Sequence, residues 1–130
     1  MRAWLKVMAC LLWAAVAGLG VNAANAQSGL AGFWGNTQTH CPMIALKIYS
    51  DGEVWGWFTP AQGKDLDPEF PDVDGTITHS GSRVQMSLQD IVGEGRVSIG
   101  GTVSGKRMDT QVVLSDRTGS FTKSCLFELQ

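Results

Sequence analysis

The sequence predicts an all-β fold: a single antiparallel eight-stranded up-and-down barrel, preceded by a cleavable signal peptide. Three observations lead there. After residue 26 no window of eleven or more residues carries a 3.6-residue apolar period, so no substantial helix is expected. Eight short runs alternate apolar and polar residues and are separated by glycine and aspartate. Several of the separations, Asp51-Gly52, Ser80-Gly81 and Gly105-Lys106, have the chemistry of tight hairpin turns. Sequential hairpins close naturally into a barrel, which leaves no exposed sheet edge.

Residues 1–26 read as the signal peptide. Arg2 and Lys6 make a short positive start, Val7 to Val21 is uncharged and apolar or small, and Ala24-Asn25-Ala26 fits the small-x-small cleavage rule. The apolar stretch is short for a membrane anchor, so the mature chain, 27–130, is expected to be exported, periplasmic or secreted, with no membrane span. It keeps 8 Lys+Arg against 12 Asp+Glu, a net charge near −4. No basic cluster is available to neutralise phosphates, which excludes a nucleic-acid binder working through a basic face. Export puts Cys41 and Cys125 in an oxidising compartment, where a disulfide between them would close a loop of about 84 residues. The chain-entropy model values such a closure at roughly 4–5 kcal/mol.

The expected strands are Gly32–Thr37, Ile44–Ser50, Glu53–Thr59, Gly75–His79, Arg83–Leu88, Arg96–Val103, Met108–Leu114 and Gly119–Leu129. With Gly105-Lys106 as a two-residue loop, Val103 faces Met108, Ile99 faces Val112 and Val97 faces Leu114, so the large apolar residues share one side. A Ser80-Gly81 loop would set Ile77 opposite Val84, with Met86 and Leu88 on that face. The hairpin around Asp51-Gly52 admits two registers. A two-residue loop turns Trp55 and Trp57 inward against Ile48 and Leu46. A three-residue loop, Ser50-Asp51-Gly52 with a glycine bulge, pairs Ile48 with Val54 and turns both tryptophans outward beside Tyr49. The first makes them core, the second a partner or oligomer surface. The expected core is Ile44, Leu46, Ile48, Val84, Met86, Val97, Ile99, Val103, Val112, Leu114 and Phe127.

One connection is out of scale. Thr59 to Asp74 spans 16 residues with three of the four prolines and five of the twelve acids. Loops of this length are usually functional or disordered, and this one could lid one mouth of the barrel. Its alternating Asp65, Asp67 and Glu69 resemble the start of a calcium loop, but Phe70 stands where the EF-hand pattern needs glycine. No metal is expected there. His40 and His79 lie in no nucleophile motif and at no zinc-site spacing, so neither catalysis nor a cofactor is expected.

Three stretches carry a family resemblance. Leu30-Ala-Gly32-Phe-Trp34-Gly-Asn36 resembles the opening strand of the avidin family. Asp51-Gly-Glu-Val-Trp-Gly56-Trp-Phe58-Thr59 is similar to that family's second hairpin, and Gly119-Ser-Phe121-Thr-Lys123 to its closing strand. The resemblance implies a calycin-type barrel with Trp34, Asn36, Phe58 and Thr59 at a ligand site, Asn36 as the ligand asparagine. It also favours the three-residue loop, leaving Tyr49, Trp55 and Trp57 as an outward partner surface. Phe58 stands where the family has tyrosine, and Arg83–Leu88 and Arg96–Val103 contain no tryptophan to cap a ligand. A second resemblance, to periplasmic metalloprotease-inhibitor barrels, rests on Gly32-Phe-Trp34 and His40-Cys41-Pro-Met-Ile44.

These features together predict a non-catalytic binding protein, taking a small apolar ligand at the barrel mouth or a protein partner. An inhibitor-like barrel is the alternative, and a homo-oligomer is compatible with either.

Overall fold

The computed structural model describes residues 29–36, 38, 40–60 and 65–130, so the signal peptide expected over 1–26 lies outside the described residues. Eight strands follow in order: β1 (Gly32–Asn36), β2 (Met43–Ile48), β3 (Glu53–Phe58), β4 (Val73–Ser80), β5 (Arg83–Asp90), β6 (Arg96–Ser104), β7 (Arg107–Asp116) and β8 (Gly119–Leu129). Each pairs antiparallel with its sequence neighbours, and β8 returns to β1 to close the barrel. The eight alternating runs are thus the eight strands. The long connection ends at Asp72, because Val73 and Asp74 already belong to β4 and pair with Gly56 and Trp55.

The turn chemistry sets the registers. Tyr49 and Glu53 close the first hairpin around Ser50-Asp51-Gly52, with Gly52 at φ 92°, where a side chain would be strained. Ile48 then faces Val54 and Leu46 faces Gly56, which is the three-residue alternative. At the next hairpin the expected register is corrected: Ile77 faces Met86, not Val84, and Ser80 pairs with Arg83. The loop is Gly81-Ser82, with Gly81 at φ 61°, because a two-residue turn of this kind takes glycine at its first position. The two-residue slip leaves the inward face unchanged. Gly105-Lys106 follows the same rule, and Val103/Met108, Ile99/Val112 and Val97/Leu114 pair as expected.

Alternation along the strands fills the interior. Trp34, Met43, Leu46, Val54, Val73, Met86, Ile99, Met108, Val112 and Phe127 are fully buried. Val103 and Leu114 are half-buried and pack against this core. Ile44 is corrected: an irregularity between Met43 and Ala45 breaks the alternation, so Met43 takes the inward place and Ile44 is half-buried. Gly56 faces Leu46 across the first hairpin, and a Cβ there would fall 2.6 Å from Met43 Cε and 2.9 Å from Val73 Cγ2. Glycine is what lets those two side chains meet beneath it. Cys41 and Cys125 form the disulfide, both buried, and hold the segment after β1 against β8.

The barrel has two unlike ends. One carries the tight turns at Gly52, Gly81 and Gly105. The other gathers the ends of β1 and β3, the 91–95 loop and the Arg117-Thr118 turn; this is the mouth.

Candidate binding mouth

The four residues expected to line a ligand site do not come together. Trp34 is fully buried, and its indole Nε1 donates to Leu30 O at 2.9 Å. Asn36 is 6% exposed and its amide is occupied: Nδ2 donates to Met43 O at 2.9 Å, and Oδ1 accepts from Gln38 N at 2.9 Å. Thr59 is exposed and donates through Oγ1 to Cys41 O at 2.9 Å. Each of these side chains is used to hold the chain's own backbone. Phe58 is the one of the four that lines the hollows at this end of the barrel.

Two hollows meet at Phe58. The first, about 480 Å³, lies between Phe58 and the tip of the β6–β8 sheet, with Val97, Leu114 and Phe121 as its apolar wall and Asp90 and Arg96 at its rim. The second, about 420 Å³, lies between Phe58 and the 91–92 loop, with Phe70, Pro71, Ile91 and Val92. Phe58 and Asp90 border both, so the hollows form one divided mouth. Among the described residues the exposed large apolar side chains are Phe70 (69%), Ile91 (51%), Val92 (95%) and Phe121 (53%), and all four stand on this mouth. Exposed apolar groups gathered in one place mark an interaction site, whereas scattered ones need no explanation.

The rim is held by its own hydrogen bonds. Asp90 Oδ1 accepts from Val92 N and Gly93 N, at 3.0 and 3.1 Å, and shapes the 91–95 loop. Asp72 Oδ2 accepts from Phe58 N at 2.9 Å, tying the acidic loop to the end of β3. At the β7–β8 turn Asp116 Oδ1 accepts from the Thr118 hydroxyl and amide, which stabilises the carboxylate and holds its pKa below the usual value. Below the mouth the barrel is filled. The buried polar side chains there are Asn36 and Thr110, the latter donating to Cys125 O at 2.8 Å. Among the described residues every buried side-chain nitrogen and oxygen has a partner.

The expected outward surface is corrected in part. Trp57 points outward yet is only 2% exposed, because the acidic loop folds over it: Nε1 donates to Asp67 O at 2.7 Å and Phe70 O at 3.1 Å. Its ring also stands 5.8 Å from Phe33. Trp57 is therefore covered by its own chain and offers no partner surface. Trp55 and Tyr49 are half-buried edge to face at 5.3 Å, with Lys47 Nζ 5.0 Å above the tyrosine ring. His40 is exposed, and His79 is half-buried on the inward face of β4 beside the Gly81 turn, opposite Val84; among the described residues no three His, Cys, Asp or Glu side chains converge as a metal site.

The sequence reasoning missed Leu114 as a wall residue and Ile91, Val92 and Phe121 as rim residues. The signal was present: Asp90-Ile-Val-Gly-Glu94 sets two large apolar residues side by side between two strands.

Comparison with solved structures finds a match to the barrel as a whole. A bradavidin2–biotin complex superimposes with a TM-score of 0.54 at 21% identity, covering 76% of this chain and 95% of that one. The fold is avidin-like. No protein-family model matches the chain, and no curated protein matches it. At that identity the likeness establishes the avidin-like barrel and leaves the site to be argued from the residues themselves.

Proposed function

We propose that this avidin-like barrel is a non-catalytic, exported binding protein that takes a small, mainly apolar ligand at the mouth around Phe58. The observation that carries the reading is the clustering of the exposed apolar residues on two hollows sharing that one side chain. The bradavidin2 neighbour, solved with biotin, supports a small-molecule ligand for the fold. The filled interior supports a ligand lying across the mouth, in contact with Val97, Leu114 and Phe121. Asn36 is engaged with Met43 O and Gln38, so recognition falls to apolar contact with Asp90 and Arg96 beside it. The interior polar groups are few and internally bonded, which supports binding over catalysis. The metalloprotease-inhibitor alternative rests on its two sequence motifs alone.

The experiment is a titration of the purified chain with biotin and with a fluorescent apolar probe such as anilinonaphthalene sulfonate. Phe58→Ser is expected to weaken binding of whichever ligand responds by about tenfold or more, since an aromatic contact face of about 2 kcal/mol is removed. Ile91→Asp should weaken it less. Binding unchanged in both variants would refute the mouth as the site.

A further inference from the structure

β8 is eleven residues long, but β1 covers only its last part: Asn36 pairs with Phe127, Gly35 with Glu128 and Trp34 with Leu129. Immediately before that, Leu126 N donates to the side-chain oxygen of Gln38 at 2.9 Å, and Cys125 is tied to Cys41. On the β1 side, among the described residues, no strand pairs with β8 from Gly119 to Ser124. All six of these residues are exposed. Their hydrogen-bonding direction follows from the ladder. Leu129 N donates to Lys106 O on the β7 side, so odd-numbered residues of β8 bond to β7. Leu126 N turns the other way, to Gln38. The amides and carbonyls of Ser120, Thr122 and Ser124 therefore face the open edge.

We propose that this edge is an interface for a second copy of the chain, two β8 strands pairing antiparallel about a two-fold axis at Thr122. The sequence of the free stretch, Ser120-Phe121-Thr122-Lys123-Ser124, is complementary to itself in that register. Thr122 faces Thr122 of the other copy and Ser120 faces its Ser124, both hydroxyl pairs that stabilise a sheet. Phe121 faces Lys123 of the other copy, and Lys123 its Phe121. The two ammonium groups are kept off each other, and each lies against a ring. The register also uses every outward amide of the stretch, since pairs centred on an even residue exchange bonds at 120, 122 and 124. Centring on Lys123 would oppose like charges, and centring on Phe121 would leave Ser124 unpaired. A self-paired patch of this kind gives a closed dimer. The stretch is short, so the dimer is weak and concentration-dependent. Phe121 also stands on the mouth, so the dimer and a ligand there would share that side chain, but the pairing itself does not rest on what the mouth binds.

The test is sedimentation equilibrium of the full mature chain over about three decades of concentration, with two variants. Thr122→Pro removes an edge-facing amide and leaves the β7–β8 ladder intact; it is expected to weaken dimerisation at least tenfold, an effect of about 1.4 kcal/mol or more. Thr122→Cys places two thiols opposite one another across the axis, at a separation a disulfide spans. It is expected to give a covalent dimer on non-reducing gels, whereas Ser87→Cys, on the outer face of β5, is not. A chain that stays monomeric throughout, with no covalent dimer from Thr122→Cys, overturns the proposal. So does a dimer that persists in Thr122→Pro while Thr122→Cys fails to cross-link. If Thr122→Pro does not fold, the cross-linking comparison decides alone.

Discussion

Removing the Cys41–Cys125 bridge should cost a large share of the stability of this barrel. The bond joins residues 84 apart in sequence, so in the chain-entropy model its loss frees the denatured chain by about 4.5 kcal/mol at 25 °C. A domain of this size holds about 5–15 kcal/mol in all. The bridge also fastens a seam that is otherwise short, since β1 and β8 share three residue pairs. The perturbation is the double variant Cys41→Ala/Cys125→Ala, followed by urea unfolding read through tryptophan fluorescence. A loss of about 3–5 kcal/mol is expected, with the melting temperature falling by roughly 15–25 °C. Because the effect acts on the unfolded ensemble, the urea slope should rise as that ensemble expands. Reduction of the wild-type chain should give the same loss without truncating either side chain. A loss below about 1 kcal/mol with an unchanged slope would refute the reasoning, and would mean that the seam is held by other contacts.

Other changes test single features. Met43→Ala should cost about 2–5 kcal/mol and Ile44→Ala under about 1.5 kcal/mol, measured by urea unfolding; the reverse order would refute the irregularity that places Met43 inward. Gly75→Ala should destabilise by about 1–3 kcal/mol or more, because a Cβ there collides with the Ser87 carbonyl and the Leu88 Cα. Trp57→Phe removes the donor shared by Asp67 O and Phe70 O, and should cost about 1–2 kcal/mol while raising amide exchange in residues 65–72. Asp116 has a lowered pKa through its bonds to Thr118, so its contribution is present above the unfolded value and is lost as pH falls through the folded one. Thr118→Val should raise that pKa in an NMR titration; no movement would show that the turn does not stabilise the carboxylate.

The barrel was legible because most strands carry a period-two pattern and the tight turns at Gly52, Gly81 and Gly105 each carry a glycine. Gly105-Lys106 yielded its whole register by one rule, and Gly81-Ser82 obeys the same rule, so the misreading there was of the loop's position only. What escaped depended on contacts between distant segments. Alternation within β2 marks Ile44 as inward, and nothing local announces the irregularity that hands its place to Met43. Outward-facing Trp57 reads as surface until the loop 65–72 folds over it, 10 and 13 residues away along the chain. Asn36 reads as a ligand group until Met43 O and Gln38 N occupy its amide. The mouth was hardest to read, because its residues come from five separate stretches and carry no common spacing.

The order of the strands bears on how the molecule assembles. Seven of the eight strand pairings join neighbours in sequence, and each can form as a local hairpin once its turn is in place. The eighth, between the first strand and the last, must wait until the intervening sheet has curled far enough to bring Trp34 beside Leu129. Ring closure is then the slow, non-local event, and an open curl with both margins unpaired is the species most exposed to association before it. Substitutions in the turns should alter how fast that curl forms, while substitutions at the three paired positions of the seam should act mainly on how fast the closed ring reopens.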